Sequence, residues 1–154
     1  MEIDRIPTLT DVCLRLGAAT VIGCALGMNR ELRGKSAGLR THALVTLGSA
    51  LLTLTSLRFS GGNPADALSR VIEGIVTGIG FLGGGVILQD RSGHVRGLTT
   101  AATIWTSTAL GILCGIGYWA AAGAATVFVF LVLIAGRYAE SRFSEKPGKG
   151  GDSG

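Results

Sequence analysis

Hydrophobic positions along the chain fall into five stretches, separated by short polar segments that hold most of the charge. A helix that crosses a bilayer needs about 20 mostly apolar residues. Stretches from Leu9 or Val12 to Met28, Thr41 to Leu57, Val71 to Leu88, Leu98 to Ile116 and Trp119 to Gly136 are all near that length. Helices of a soluble bundle would each keep a polar face toward water. The second stretch shows none: from Ala43 to Leu57 it is apolar or small on all sides, with only Thr and Ser as polar groups. Their hydroxyls can bond within the helix or to neighbouring helices, so lipid tolerates them. Merging the last two stretches would make one helix of about 39 residues, too long for a bilayer even when tilted. The pattern therefore predicts an all-α integral membrane bundle of five transmembrane helices.

The charge between the stretches is uneven. Arg30, Arg33, Lys35 and Arg40 follow the first stretch, Arg91 and Arg96 follow the third, and Arg137, Arg142, Lys146 and Lys149 follow the fifth. Arg5, Arg58 and Arg70 belong to the opposite side, with Arg15 just inside the first stretch. Loops rich in Lys and Arg stay in the cytoplasm. This predicts an N-terminus outside and a cytoplasmic C-terminus. Tyr118 and Trp119 then fall at an outer turn and Tyr138 near an inner helix end, where an aromatic belt is expected. The first stretch is preceded by Glu2, Asp4 and Arg5 and not by a basic segment, so it reads as a retained span and not a cleaved signal. Thr8 and Thr10, followed by Asp11, suit a helix start. Residues 1–140 are expected to form the transmembrane domain. The Gly-rich, polar residues 141–154 are expected to be a disordered cytoplasmic tail, with no soluble C-terminal domain.

The net charge of +4 comes without a basic stripe interleaved with aromatics, so no nucleic-acid partner is expected. Cys13, Cys24 and Cys114 lie in apolar stretches without a CxxC spacing and read as small packing residues. The sequence shows neither paired carboxylates nor a nucleophile with a base, so catalysis is not expected and no cofactor is implied.

Glycine, at 25 residues, is abundant. Gly78, Gly80 and Gly83 match G-x-G-x-x-G, but inside an apolar stretch and without the strand and acid that a dinucleotide site requires. Glycines four apart, Gly74/Gly78, Gly80/Gly84, Gly23/Gly27 and Gly111/Gly115, suit close helix packing, within one chain or in a homodimer. The run Gly83-Gly84-Gly85 suits either packing or a hinge whose freed carbonyls line a cavity. Two ionisable residues lie within stretches: Arg15 and Glu73. They suit an intramembrane ion or charge-pair site, or two local pairs, Asp11 with Arg15 and Arg70 with Glu73. One carboxylate alone is a poor Mg2+ cage. The basic segment Arg30–Thr41 carries Arg30, Glu31, Arg33, Lys35, Gly38, Arg40 and Thr41, with Gly34 and Gly38 suited to a turn. It reads as an orientation signal or as a surface for lipid head groups, a phosphorylated ligand or an acidic protein. His42 and His94 read as polar residues at membrane edges, and Trp105 as a packing residue.

Three segments together resemble the MgtC/SapB family of bacterial inner-membrane proteins: GMNRELRGKSAGLRT from Gly27 to Thr41, RVIEGIVTGIGFLGGGVIL from Arg70 to Leu88, and VRGLTTAATIWTSTALGILCGIG from Val95 to Gly117. The resemblance implies a multi-pass inner-membrane protein linked to growth in low Mg2+. It implies either a regulator of other membrane proteins, the ATP synthase among them, or a transporter of Mg2+ or another cation. Partners expected on this basis are the lipid bilayer, a second copy of the chain and another membrane protein. Many members carry a soluble C-terminal domain, which is not expected here. The chain departs from the family pattern at Asn29, where an acid is common, at Glu73, where a neutral residue is usual, and at Gly84, where GAG becomes GGG.

Overall fold

The structure, a computed structural model, describes residues 8–60, 63–89 and 95–144. These residues form five α-helices: α1 (Leu9–Glu31), α2 (Leu39–Arg58), α3 (Pro64–Gly85), α4 (Leu98–Ile116) and α5 (Trp119–Ser144). A short antiparallel hairpin joins α3 to α4, pairing β1 (Leu88–Gln89) with β2 (Val95–Arg96). Thr8 opens α1 by accepting a hydrogen bond from the Asp11 N–H at 3.3 Å. The Asn63 side chain does the same for Asp66, with Pro64 at the first helical position. That Asn-Pro start extends α3 well before Val71, where the hydrophobic pattern begins. α4 matches its expected bounds. α5 runs past Gly136 to Ser144 because no glycine or proline interrupts it before Pro147. The first four residues of the expected tail are therefore helical; the rest lie outside the described residues.

Among the described residues, four helices are long and apolar enough to cross a membrane: α1, α3, α4 and Trp119–Tyr138 of α5. α2 lies among them as the central helix, packed against both α1 and α4. The sequence showed no polar face on this helix, but the structure gives it one, with Thr55 alone of its hydroxyl residues exposed. His42, Thr46, Ser49 and Thr53 form one buried stripe, while Leu44, Leu51 and Leu52 face outward. Each hydroxyl closes on its own helix: Thr46 donates to His42 O at 3.0 Å, Ser49 to Val45 O at 2.8 Å and Thr53 to Ser49 O at 2.8 Å. α4 faces this stripe with Thr103, Ser107 and Thr108, bonded in the same way. Self-satisfied hydroxyls leave short side chains at the interface, so the backbones can approach closely.

Glycines complete that approach. A Cβ added at Gly115 would lie 2.6 Å from Ala50 O and 2.7 Å from Thr53 Cβ. At Gly27 it would lie 2.7 Å from Gly38 O. The pairs Gly23/Gly27 and Gly111/Gly115 thus press α1 and α4 closely onto α2, within one chain, with both helices meeting it at Thr46. The remaining core is small: Ala19, Ala50, Cys114 and Ala122 form one cluster, and Ala37, Ile79 and Ile104 another. Cys114 packs as expected, whereas Cys13 is exposed. Trp105 is also exposed, so it points away from the bundle and is not a core residue.

Candidate functional site

At one end of the bundle, α1 hands over to α2 through the basic segment. The Arg33 N–H and Lys35 N–H both donate to Arg30 O, at 3.1 and 3.2 Å, and the Gly34 N–H to Glu31 O at 2.9 Å. Gly34 takes the left-handed conformation, φ 61°, that this turn requires. Glu31 folds back: its Oε2 accepts the Leu39 N–H at 2.8 Å and so caps α2, whose own N-cap, Gly38, has no side chain to do it. A Cβ on Gly38 would lie 2.7 Å from that same oxygen. Arg33 reaches across to donate to Leu133 O of α5 at 3.3 Å. Lys35 and Arg40 are exposed and Thr41 is half-buried. The segment is thus a folded connector tied to α2 and α5, with only part of its charge presented outward.

Arg30 points inward. It is 3% exposed, and its guanidinium donates to the Thr100 hydroxyl in the first turn of α4 at 3.1 Å. Its Nε–H is buried and has no partner, and no carboxylate among the described residues pairs with it. His42 is buried as well, at 0% exposure, and is no edge residue. The Gly38 carbonyl sits 2.9 Å from Nδ1 and can only accept, so Nδ1 carries a proton. Its Nε2 is buried without a partner, as is Asn29 Oδ1. The arginine's burial was not legible in a segment dense with arginines. The orphaned atoms of Asn29 and His42 had no signal at all, since burial depends on three helices meeting. His94 lies outside the described residues.

At the opposite end, Arg15 ties α1 to α4. Its guanidinium donates to Gly115 O and Ile116 O, both at 2.9 Å, and Nε lies 2.9 Å from Asp11 Oδ2. The last carbonyls of a helix lack intrahelical partners, and cations there are favoured by the helix dipole. Gly117 closes α4 at φ 81°, and a Cβ there would lie 2.9 Å from the Arg15 guanidinium carbon. Arg15 and Glu73 are therefore not joined. Of the two local pairs, Asp11–Arg15 forms, while Arg70 and Glu73 are both exposed on α3 and make no ion pair.

α3 packs on α4 and α2 yet buries only Ile79. Nothing lies within 4 Å of a Cβ added at Gly74, Gly78, Gly80, Gly84 or Gly85, and Gly83 meets only Ala101 Cβ at 3.8 Å. The helix continues through Gly83-Gly84-Gly85 and ends at Val86, so the glycine run opens no hinge within it. Beside Gly74 and Gly78, α2 and α3 enclose an apolar groove of about 600 Å3 that Gly48 and Leu82 help to line and Arg70 borders. Among the described residues, no three His, Cys, Asp or Glu side chains gather where a metal ion could be held.

Long apolar helices packed around a buried stripe of hydroxyls define a multi-helix membrane protein. The MgtC family model matches residues 16–142, and the chain belongs to the MgtC family. It is 43% identical over 134 residues to Protein MgtC of Salmonella typhimurium strain LT2, covering 87% of this chain and 56% of that protein. It is 43% identical over 129 residues to Protein SrpB of Synechococcus elongatus, covering 77% of this chain and 71% of that one. Protein MgtC of Brucella abortus strain 2308 is 44% identical over 117 residues, 76% of this chain and 48% of the relative. The chain thus spans about half the length of the MgtC relatives it matches. No solved structure matches it.

Proposed function

We propose that this protein is a multi-pass protein of the bacterial inner membrane that serves adaptation to low Mg2+ by binding and modulating other membrane proteins. The observation that carries this reading is the sign of the charge held inside the bundle. Arg15 and Arg30 reach between the helices, and both are cations. A cation path through such an interior would meet repulsion where it needs carboxylates or carbonyls. The open, glycine-lined face of α3 offers a helix-sized surface to a partner helix in the membrane. A second copy of the chain is one such partner.

Liposomes containing only the purified protein are expected to take up Mg2+ no faster than empty ones, with Glu73→Gln indistinguishable from the parent. Uptake that exceeds the empty liposomes and disappears in Glu73→Gln would replace the regulator by a cation transporter. That second reading is favoured by one observation: Glu73 is exposed on α3 next to Gly74 in the groove wall.

The basic connectors support an orientation with the N-terminus outside and the C-terminus in the cytoplasm, on the positive-inside rule. Reporter fusions should find Ser36 and Ser144 inside and Gly62 outside; a periplasmic Ser36 would reverse the orientation.

A further inference from the structure

Arg30 presents a physical problem that the family reading does not address. A guanidinium taken out of water without an anionic partner is strongly unfavourable, and buried charges are normally paired. Arg30 is 3% exposed, it has one neutral partner in Thr100, and its Nε–H is left bare. The nearest acid in sequence, Glu31, is turned away to cap α2. Arg33, the next cation, adds positive charge nearby and is itself committed to Leu133 O.

The group that Arg30 touches is the N-terminus of α4. This helix has 19 residues, and its N-cap, Gly97, is held at φ 91° with no side chain to accept its first N–H groups. A Cβ at Gly97 would meet the Val86 carbonyl group, so a Ser, Thr or Asp cap cannot be installed there. Uncapped N–H groups and the positive end of a helix dipole favour an anion. A buried, under-bonded arginine reaching the same turn is a second, independent pointer to one.

The bare acceptors narrow its chemistry. Asn29 Oδ1 and His42 Nε2 are both buried without a donor at this same end of the bundle. His42 belongs to the first turn of α2, close enough to feel the charge of Arg30. Chloride or a carboxylate would satisfy the donors and leave these acceptors bare. A phosphate group that keeps one proton supplies oxygens for Arg30 and α4 and a P–OH for an acceptor.

We propose that the meeting point of α1, α2 and α4 is a phosphate-binding site, in which Arg30 Nε and the first N–H groups of α4 hold a phosphate group. Free phosphate and a lipid head group share that chemistry. With the orientation given above, this end of the bundle lies on the cytoplasmic side, where both are present. The site uses neither Glu73 nor a residue that lines the α3 groove, so it stands whether or not the protein transports a cation.

The test is thermal unfolding of the full chain. In one arm, lipid-depleted protein in detergent is titrated with inorganic phosphate, with sulfate as comparison and ionic strength held by KCl. In the other, the protein sits in nanodiscs of phosphatidylcholine with phosphatidic acid, whose monoester can keep a proton, or with phosphatidylglycerol, an anionic diester without a P–OH, as comparison. A ligand that binds only the folded protein raises the midpoint as its concentration passes the dissociation constant. Phosphate is expected to raise it more than sulfate, and Lys35→Gln, an exposed substitution, should respond as the parent does. Arg30→Met should abolish the response and, without phosphate, melt no lower than the parent, since it removes an uncompensated charge. If Arg30→Met does not fold, Thr100→Val serves instead, with the response shifted to at least tenfold higher phosphate. A response confined to the phosphatidic acid nanodiscs and dependent on Arg30 would identify the head group as the source. The proposal is overturned if neither arm shows a shift, or if the shift survives in Arg30→Met and Thr100→Val.

Discussion

Gly115→Ala should destabilise the folded protein by about 1–3 kcal/mol, the range typical of overpacking a close-packed interior. The added methyl would sit 2.6 Å from Ala50 O and 2.7 Å from Thr53 Cβ. Neither can retreat cheaply, because Ala50 O is backbone and the Thr53 hydroxyl is tied to Ser49 O at 2.8 Å. α4 would have to move off α2, loosening the contacts of Cys114 and Ala50 in the same cluster. Gly78→Ala is the matched control. It belongs to the same four-residue glycine spacing, but nothing lies within 4 Å of its added methyl. Alanine is also the better helix former, by about 1 kcal/mol in a helix interior. Unfolding of both variants in detergent should therefore move in opposite directions. A loss of stability in Gly78→Ala would mean that α3 already packs against a second helix, and the open face would have to be given up as a description of the isolated chain.

Arg15→Met should cost about 3 kcal/mol, comparable to one or two hydrogen bonds from a charged donor. Methionine keeps much of the apolar stem and removes the two bonds to Gly115 O and Ile116 O, leaving part-buried carbonyls with no donor. Asp11→Asn, which weakens only the ion pair on the exposed side, should cost less than about 1 kcal/mol. The gap between the two variants, read by the same unfolding measurement, separates the carbonyl bonds from the pairing with Asp11. Equal losses would mean that the ion pair, and not the junction with α4, carries the stability. A full-scale collapse on Glu73→Gln alongside Arg15→Met would revive a charge pair between the two residues, which the structure keeps apart.

The candidate site was readable in pieces. The segment Arg30–Thr41 stood out by its charge, and Gly34 by its turn. That Arg30 is the member buried at Thr100, while Lys35 and Arg40 stay exposed, follows from which side of α1 meets α4. No periodicity within the segment carries that information. The pairing of Asp11 with Arg15 was legible because residues four apart on a helix are neighbours whatever surrounds them. The second half of Arg15's role was not, because Gly115 and Ile116 are about 100 positions away.

The sequence by itself determined the five helices, the ends of α4, the membrane class and the family. Each of these rests on local composition, on the length of an apolar run, or on residues adjacent in the chain. Only the tertiary structure decided which glycines are contacts and which are open, for Gly111/Gly115 and Gly74/Gly78 have the same spacing. It also decided that α2, the helix that looked evenly apolar, is the polar centre of the bundle. In lipid the usual logic is inverted: the apolar surface faces out and hydroxyls face in, bonded to their own backbone. A stripe of Thr and Ser is then invisible as a polar face until its neighbours are known. The neighbours are set by close backbone contact over long sequence distances, which no local pattern records.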